Sequence, residues 1–527
     1  MRIELVLSIM ASAFALSFAA EAQSLHHFVG TAGDWMGYSV SGVGDLDADG
    51  YDDVVAGLPG HSNFGQARVY SGAQGALLAT WFYGSYFEFG VSVDSAGDVD
   101  GDGVPDVIIS ARDIHPDTFD SYMSVWSGRT LSMHCVEFLG SKAVIAVSGR
   151  GDVDGDGLDD VAAGQPAYSF VRLFESCDFA GDLTKPGSQF GASVDGLDDV
   201  DGDGIPELLV GAPLDGGFGS ASVRSGATGA ELFFVRGLTA GDRLGTSVAA
   251  LGDLDGDGVT EFVAGADQSG NGKPGYVLVC SGADGDILRA LVGGMANDRF
   301  GASVAGAGDF NGDGVPDIAV GASQQPQPGP GYVTLFSGAD FTVLRRWSGE
   351  AAGDAFGFAV DRAGDVDGNG FSDLIVGAPY SDAGGVDAGT ATIFGGCPGA
   401  IEAYGHGCPG SGGFVPELAM DGCPTAGGSI SLAIEGGVGG GLTLVLVGLE
   451  TASGVLASGC PLYVGGLLPL MPTLPLGGVG PGQGSVQVNA TLPASMPAVE
   501  LELQGFVLDP AVAAGYAATN GVRLAID

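Results

Sequence analysis

Positive charge is scarce in this chain. Against 64 aspartates and glutamates stand only 18 lysines and arginines, leaving a formal net charge of −46 over 527 residues. Nucleic acid and anionic membrane surfaces are held by clustered cations, so neither is an expected partner. Histidine is rarer still. The six, His26, His27, His61, His115, His134 and His406, form no HExxH or other zinc spacing. The seven cysteines include no CxxC pair, which removes the common thiolate metal and redox motifs. No Gly-x-Ser-x-Gly elbow precedes a helix, and no phosphate-cradling loop ends in Gly-Lys-Ser/Thr. Glycine is abundant, at 97 residues, yet has no period of three, so a collagen-like chain is excluded. Long apolar runs are also missing beyond the N-terminus: Leu442 to Leu449 is too short to span a bilayer, and Leu467 to Leu476 is broken by prolines. The exception, Leu5 to Ala20, follows Met1-Arg2 and leads into Ala20-Glu21-Ala22. It reads as a signal peptide over residues 1–22, cleaved before Gln23. The expectation is an exported chain, secreted or at the cell surface, with no transmembrane segment in the mature form.

What the chain has in excess is an acidic loop, present seven times. The fifth copy, Asp253-Leu254-Asp255-Gly256-Asp257-Gly258-Val259-Thr260-Glu261, places carboxylates at positions 1, 3, 5 and 9 and glycine at 6. Odd-numbered oxygens on a tight turn converge, and position 7 adds a backbone carbonyl. That donor set suits a hard, oxygen-seeking cation, and Ca²⁺ better than octahedral Mg²⁺. Without a cation the cluster repels itself: two unit charges ~4 Å apart interact by roughly 4 kcal/mol at an effective dielectric near 20. The predicted ligands are Asp45, Asp47, Asp49 and Asp53; Asp98, Asp100, Asp102 and Asp106; Asp152, Asp154, Asp156 and Asp160; Asp199, Asp201, Asp203 and Glu207; Asp253, Asp255, Asp257 and Glu261; Asp309, Asn311, Asp313 and Asp317; Asp365, Asp367, Asn369 and Asp373. Asn311 and Asn369 keep an oxygen but lose a charge, so those two sites are expected to bind more weakly. Up to seven structural Ca²⁺ ions follow.

The loops step along the chain by 53, 54, 47, 54, 56 and 56 residues, a repeat architecture. Before the loop stands an aromatic-Gly pair and a Ser-Val run, as in Phe89-Gly90-Val91-Ser92-Val93 and Phe300-Gly301-Ala302-Ser303-Val304. After it an apolar run ends in Gly-Ala-Pro or a variant, as in Leu374-Ile375-Val376-Gly377-Ala378-Pro379. A third run closes on Ser-Gly, as in Tyr332 to Gly338, and a fourth follows, as in Glu231 to Val235. Four short strands per repeat, seven times, predict an all-β fold, a seven-bladed β-propeller. The aromatic-Gly pair, the DxDGDGxxD loop and the Gly-Ala-Pro element together resemble the FG-GAP repeats of the integrin α-subunit propeller. The resemblance spans residues 25–396. It implies a non-enzymatic, calcium-binding adhesion scaffold whose ligand, a protein or a glycan, sits on the face opposite the metal loops.

Several features qualify the pattern. An EF-hand needs glutamate at position 12 and flanking helices; here position 12 is Ala56, Ile109, Ala163, Val210, Ala264, Val320 or Val376, and strand-forming runs follow. Repeat three has Ala143-Val144 in place of its aromatic-Gly pair. Leu25 to Gly30 resembles a fourth run, while the seventh repeat stops after its third at Phe394-Gly395-Gly396. The N-terminal strand is therefore expected to complete the last blade, pairing residues 25–30 with 389–394 and removing the exposed sheet edges. His26 and His27 then serve structure. Residues 402–527 lack acidic loops and alternate β-prone runs with turns, predicting a small C-terminal β-sandwich-like domain. Cys397, Cys408, Cys423 and Cys460 allow two disulfides in three connectivities; Cys135 and Cys177 flank repeat three and are placed to staple it; Cys280 is expected buried and free. On the face opposite the metal loops lie His61, Asn63, Phe64, Tyr86, Phe87, His115 to Asp120, Asn271, Lys273 and Tyr380 to Asp382, the connections that differ most between repeats. An extracellular polysaccharide-active, lyase-like enzyme and a structural surface or matrix component are the alternatives to a binding scaffold; no catalytic motif supports the first.

Overall fold

The computed structural model describes residues 24–526 except 63, 85–86, 114–119, 142–145, 269–271, 325–328, 399, 405–406, 424–427, 457–459, 468–472, 479 and 493–498. The signal-peptide segment, Asn63, Tyr86, His115 to Phe119, Asn271 and the Ala143-Val144 pair lie outside the described residues. The chain forms two compact units, one of Ser24–Thr342 with Trp347–Gly396, the other centred on Cys397–Asp527. Among the described residues the helical segments are two three-residue turns, Asp215–Gly217 and Ser411–Gly413. Among the described residues no helix is long and apolar enough to cross a membrane.

The larger unit is seven four-stranded antiparallel sheets, six built from four consecutive strands and the seventh from three consecutive strands and the N-terminal one. The inner strands are Val40–Gly44, Phe87–Gly97, Ala146–Gly151, Val194–Leu197, Leu244–Gly252, Phe300–Gly308 and Ala359–Gly364. Each packs against the inner strand of the next sheet, and the seventh returns to the first, so the blades close into a ring. Closure is completed by the N-terminal strand. Ser24–Val29 pairs with Thr390–Phe394 as the outer strand of blade seven, with His27 opposite Thr392. His27 Nδ1 lies 2.9 Å from Thr392 Oγ1, and His26 Nε2 lies 2.5 Å from the Gly72 carbonyl oxygen.

Burial explains the strand composition. The second strand of a blade has sheets on both sides and is buried along its length, as in Glu207–Ala212, Glu261–Ala266 and Asp373–Ala378. It is accordingly almost continuous Val, Ile, Leu, Phe and Ala. Outer strands such as Ile287–Val292 are mostly exposed. The glycines of the two named motifs meet each other. A Cβ on Gly265, of the Gly-Ala element in blade five, would lie 2.1 Å from the carbonyl oxygen of Gly301, in the aromatic-Gly pair of blade six. Gly57 meets Gly90, Gly164 meets Gly191, Gly211 meets Gly245, Gly321 meets Gly357 and Gly377 meets Gly37 in the same way. Six junctions thus bring backbone against backbone, which only glycine permits.

The seventh junction is different. Between blades two and three the glycine position holds Ser110, and its Oγ accepts a 3.0 Å hydrogen bond from the Ser92 amide. This junction also carries the Cys135–Cys177 disulfide. Cys135 is on the outer strand Met133–Ser141 of blade two, and Cys177 is in the hairpin between Phe170–Glu175 and Asp178–Thr184 of blade three. The bond therefore ties two blades together and does not act within repeat three alone.

In the smaller unit, one sheet contains Ala400–Tyr404, Tyr516–Ile526, Val499–Leu508, Leu442–Val455 and Pro461–Leu467, with the short Leu474–Pro475 beside it. A second contains Glu417–Gly422, Ser429–Gly439 and Gly480–Thr491. Leu418, Leu432 and Ile434 of the second sheet share one apolar core with Val445, Leu503 and Val522 of the first, a sandwich arrangement. Its disulfides are Cys397–Cys423 and Cys408–Cys460. Cys280 is the free, buried cysteine, its thiol pushed up to about 12 by burial.

Candidate metal centres

Each acidic loop is wound around its own carboxylates. In the first, Asp45 accepts the amides of Asp49 and Gly50 at 3.1 and 2.9 Å, Asp47 accepts Asp49 at 3.1 Å, and Asp49 accepts Tyr51 at 3.1 Å. The fifth repeats this: Gly258 donates to Asp253 at 3.0 Å, Asp257 to Asp255 at 3.2 Å and Val259 to Asp257 at 2.8 Å. The turn requires a left-handed residue at position 6, where φ runs from 83° at Gly103 to 92° at Gly50 and Gly157.

Position 9 behaves differently from the other three. It opens the second strand and is buried in every blade. Asp53 accepts the Leu46 amide at 2.9 Å through one oxygen and the Gly72 amide at 3.0 Å through the other. Asp106, Asp160, Asp317 and Asp373 repeat the arrangement, with Gly128, Ser176, Gly338 and Gly396 as the distant donors. This residue ties the metal loop to the end of the third strand. The recurring Ser-Gly there was the available signal, and the spacing argument alone did not assign it. Burial, reinforced by nearby loop carboxylates, pushes Asp53 and Asp106 up to about 6 and Glu207, Asp317 and Asp373 up to about 7.

The donor set fits a divalent cation. One oxygen each from Asp45, Asp47 and Asp53 lie within 4.8 Å of one another, as do those of Asp98, Asp100 and Asp106, of Asp152, Asp154 and Asp160, and of Asp253, Asp255 and Glu261; in the fourth loop Asp203 joins Asp199, Asp201 and Glu207. Position 5 is thus gathered with the others in the fourth loop, while Asp49, Asp102, Asp156 and Asp257 stand outside these tight groups. The strongest sign is in the glutamate loops. Glu207 Oε2 accepts the Val200 amide at 2.6 Å, while its Oε1 is buried with no hydrogen-bond partner. Glu261 Oε1 is also buried, with the Gly282 amide the donor that acts on this carboxylate from the third strand's end. A buried anionic oxygen without a partner is costly unless a cation faces it. In the two amide-bearing loops, Asn311 Oδ1 accepts the Asp313 amide at 2.9 Å and Asn369 Nδ2 donates to the Gly396 carbonyl at 3.0 Å. Arginines already stand by loops two and three: Arg129 Nε is 3.1 Å from Asp102 Oδ2, and Arg150 is 4.0 Å from Asp160.

Position 8 joins loop to loop. Asp52 of blade one accepts the Asp365 amide of blade seven at 2.8 Å, Asp159 of blade three accepts the Asp98 amide of blade two at 2.8 Å, and Thr260 of blade five donates to Asp198 of blade four at 2.5 Å. Pro105, Pro206 and Pro316 occupy the same position and lie against Gly44, Gly151 and Gly252 of the preceding blade. The seam runs around the ring, and spacing along the chain gave no hint of it.

On the opposite face the second-to-third and fourth-to-first connections interlock, as in Leu214 to Ser188 and Asn297 to Lys273. His61 is held by Asp34 at 2.7 Å and Lys273 donates to Thr239 at 3.1 Å. Phe64 and Asp382 are exposed, Tyr380 is half-buried and Ser381 is buried. Phe87 begins an inner strand and Asp120 a third strand.

The FG-GAP repeat family matches residues 190–223, 244–280, 300–336 and 356–394, that is, blades four to seven. Integrin alpha-PS5 of Drosophila melanogaster is 34% identical over 171 residues, covering 29% of this chain and 16% of the relative. Integrin alpha-7 of Rattus norvegicus is 38% identical over 140 residues, covering 24% and 12%. The matched region thus spans less than a fifth of these relatives. Among solved structures, Raptor of Chaetomium thermophilum aligns over 71% of this chain and 28% of its own, at 10% identity and a TM-score of 0.45. The motifs, the family match and the integrin relatives agree: blades four to seven carry FG-GAP repeats, and the chain resembles the integrin α-subunit propeller.

Proposed function

We propose that this chain is an exported, calcium-stabilised propeller that binds an extracellular protein or glycan and carries out no chemistry on it. The observation that carries this reading is an asymmetry of the ring. One face repeats nearly the same acidic loop seven times, whereas the connections on the other face differ in length and residue type from blade to blade. A rigid frame with variable loops is the usual basis of a recognition surface. The likeness to integrin α-subunits supports the same reading. Calcium would be held by positions 1, 3, 5 and 9 of each loop, with the fourth loop, Asp199, Asp201, Asp203 and Glu207, the most complete. When bound, the ion supplies charge neutralisation where carboxylates crowd. The three disulfides fit an oxidising compartment.

The test is a calcium-replete binding screen of the full chain against glycan and extracellular-protein arrays. Retention of a defined ligand, lost when exposed residues such as Phe64 and Asp382 are replaced, supports the scaffold. Turnover of an acidic polysaccharide by the purified chain would replace it with the lyase-like alternative, and ordered self-assembly with the matrix alternative.

A further inference from the structure

The inner strands hold a second set of acids that the metal loops do not use. At one level of the ring, two residues beyond position 9 on the second strand, the paired inner-strand residues are Ser41, Asp94, Ser148, Asp195, Ala249, Ala305 and Asp361, one from each blade. Small residues fill this level in four blades, so the repeat itself does not call for carboxylates there. Asp94, Asp195 and Asp361 come from blades two, four and seven, which are not neighbours, yet they act electrostatically on one another. They share one level of the ring's inner wall. Ser41 and Ser148, both buried, stand between them.

The hydrogen count at this level is short. Ser41 Oγ lies 2.9 Å from the Gly42 carbonyl oxygen and 3.1 Å from Asp94 Oδ1, and it also reaches Asp361. Ser148 Oγ lies 2.8 Å from the Gly149 carbonyl oxygen and 3.3 Å from Asp195 Oδ1, and it also reaches Asp94. A hydroxyl brings one proton. Each serine therefore faces more acceptors than it can satisfy. The contacts become true hydrogen bonds only if the carboxyls supply protons of their own. Backbone donors meet part of the need: Ala250 donates to Asp195 Oδ2 at 2.8 Å and Ser95 to Asp94 Oδ1 at 2.9 Å. Among the described residues no basic side chain enters the set. Arg150, two residues beyond Ser148, faces Asp160, Glu175 and Asp154, and Arg362, beside Asp361, is exposed.

We propose that Asp94, Ser41, Asp361, Ser148 and Asp195 form an axial proton-binding site, a carboxyl–hydroxyl chain that holds protons at neutral pH and tightens the ring as pH falls. Direction and cause agree with this geometry. Burial first, then mutual repulsion, raises Asp94 well above the usual carboxylate range and Asp361 to about 7; burial raises Asp195 to about 6. Folded values above the unfolded ones mean stability that is fully present below about pH 4 and is lost as pH rises toward and through 7. The site is independent of the calcium loops, whose first aspartates lie four residues further along each strand.

The experiment compares wild type with the Asp94→Asn/Asp361→Asn double variant in saturating calcium, which keeps the loop acids ionised. Asparagine mimics the protonated acid. Melting temperature of the wild type should fall from pH 5 to pH 8, and that of the variant should fall less. At pH 8 the variant should melt higher than the wild type. A variant that melts lower at pH 8, or pH profiles that run parallel, overturns the proposal. Infrared spectroscopy of the calcium-saturated wild type gives a reading that needs no variant: a protonated-carboxyl band at pH 7 is expected, and its absence overturns the proposal equally.

Discussion

Six of the seven blade junctions are built alike, and the junction between blades two and three is not. The six press the second-strand glycine of one blade against the carbonyl of the glycine that precedes the Ser-Val run of the next. Their cohesion comes from close backbone contact along two motifs. The seventh has Ser110 where the first glycine belongs, is followed by a repeat with Ala143-Val144 in place of the second motif, and carries the Cys135–Cys177 bond. Its flanking loops have Arg129 and Arg150 beside their carboxylates. Loss of the motif on one side of an interface coincides with its loss on the other, because each glycine exists to admit its partner. Where both are gone, a covalent bond and two internal cations are found instead. The FG-GAP family matches blades four to seven, whose mutual junctions are all of the glycine type.

The comparison can be broken most severely by removing calcium, which all junctions would share. Each independent site contributes ~2.7 kcal/mol at a free concentration ~100 times its Kd, so chelation should lower the melting temperature more than any single substitution. Hydrogen exchange should show amide protection outlasting in blades two and three, which the disulfide still joins; uniform loss would remove the distinction. The chelated protein should also be more stable at pH 5 than at pH 8. Position-9 acids near 6 to 7 in the fold, against about 4 when unfolded, contribute stability at low pH that is lost as pH rises through 7.

Next in size is Cys135→Ser with Cys177→Ser. The bond closes a loop of 42 residues' separation, worth about 4 kcal/mol on the chain-entropy account. Denaturant melts should report that loss, and exchange should begin at blades two and three. A variant that unfolds elsewhere first shows that the odd junction is not held by its disulfide. Gly265→Ala should cost about 1–3 kcal/mol by overpacking against Gly301. Ser110→Ala, at the matching place in the odd junction, should cost about 1 kcal/mol for its lost hydrogen bonding to the Ser92 backbone. Equal costs would mean that the two junctions are packed alike after all. The smallest effect is expected from Asp52→Asn, which weakens the acceptor for the Asp365 amide at the loop seam by about 1 kcal/mol or less.

Much of this was legible beforehand because it depends on local spacing. Acidic turns recur at near-constant steps, so blade number, strand order and the closing role of Leu25 to Gly30 follow from counting. The turn at position 6 needs glycine in any context. The role of position 9 was only half legible. Asp53 and its counterparts were assigned to metal from their spacing, but their second task, accepting an amide from the far end of the third strand, joins residues such as Asp373 and Gly396 that only folding brings together. The loop seam at position 8 escaped because its residue changes from Asp to Pro to Thr to Ser while its place in the ring stays fixed. The staple from Cys135 to Cys177 was anticipated, though not that it joins two blades.

By itself the sequence determined the elements: seven acidic turns, four strands around each, and a chain end suited to the last sheet. These are set by backbone conformation and by the alternation of apolar runs with turns, which act over a few residues. The tertiary structure decided which groups meet. It put glycine against glycine across blades, left Glu207 Oε1 buried without a partner, and drew Asp94, Asp195 and Asp361 from three separate blades onto one axis. No local pattern encodes those meetings, because the distances that govern packing and charge are measured through space and not along the chain.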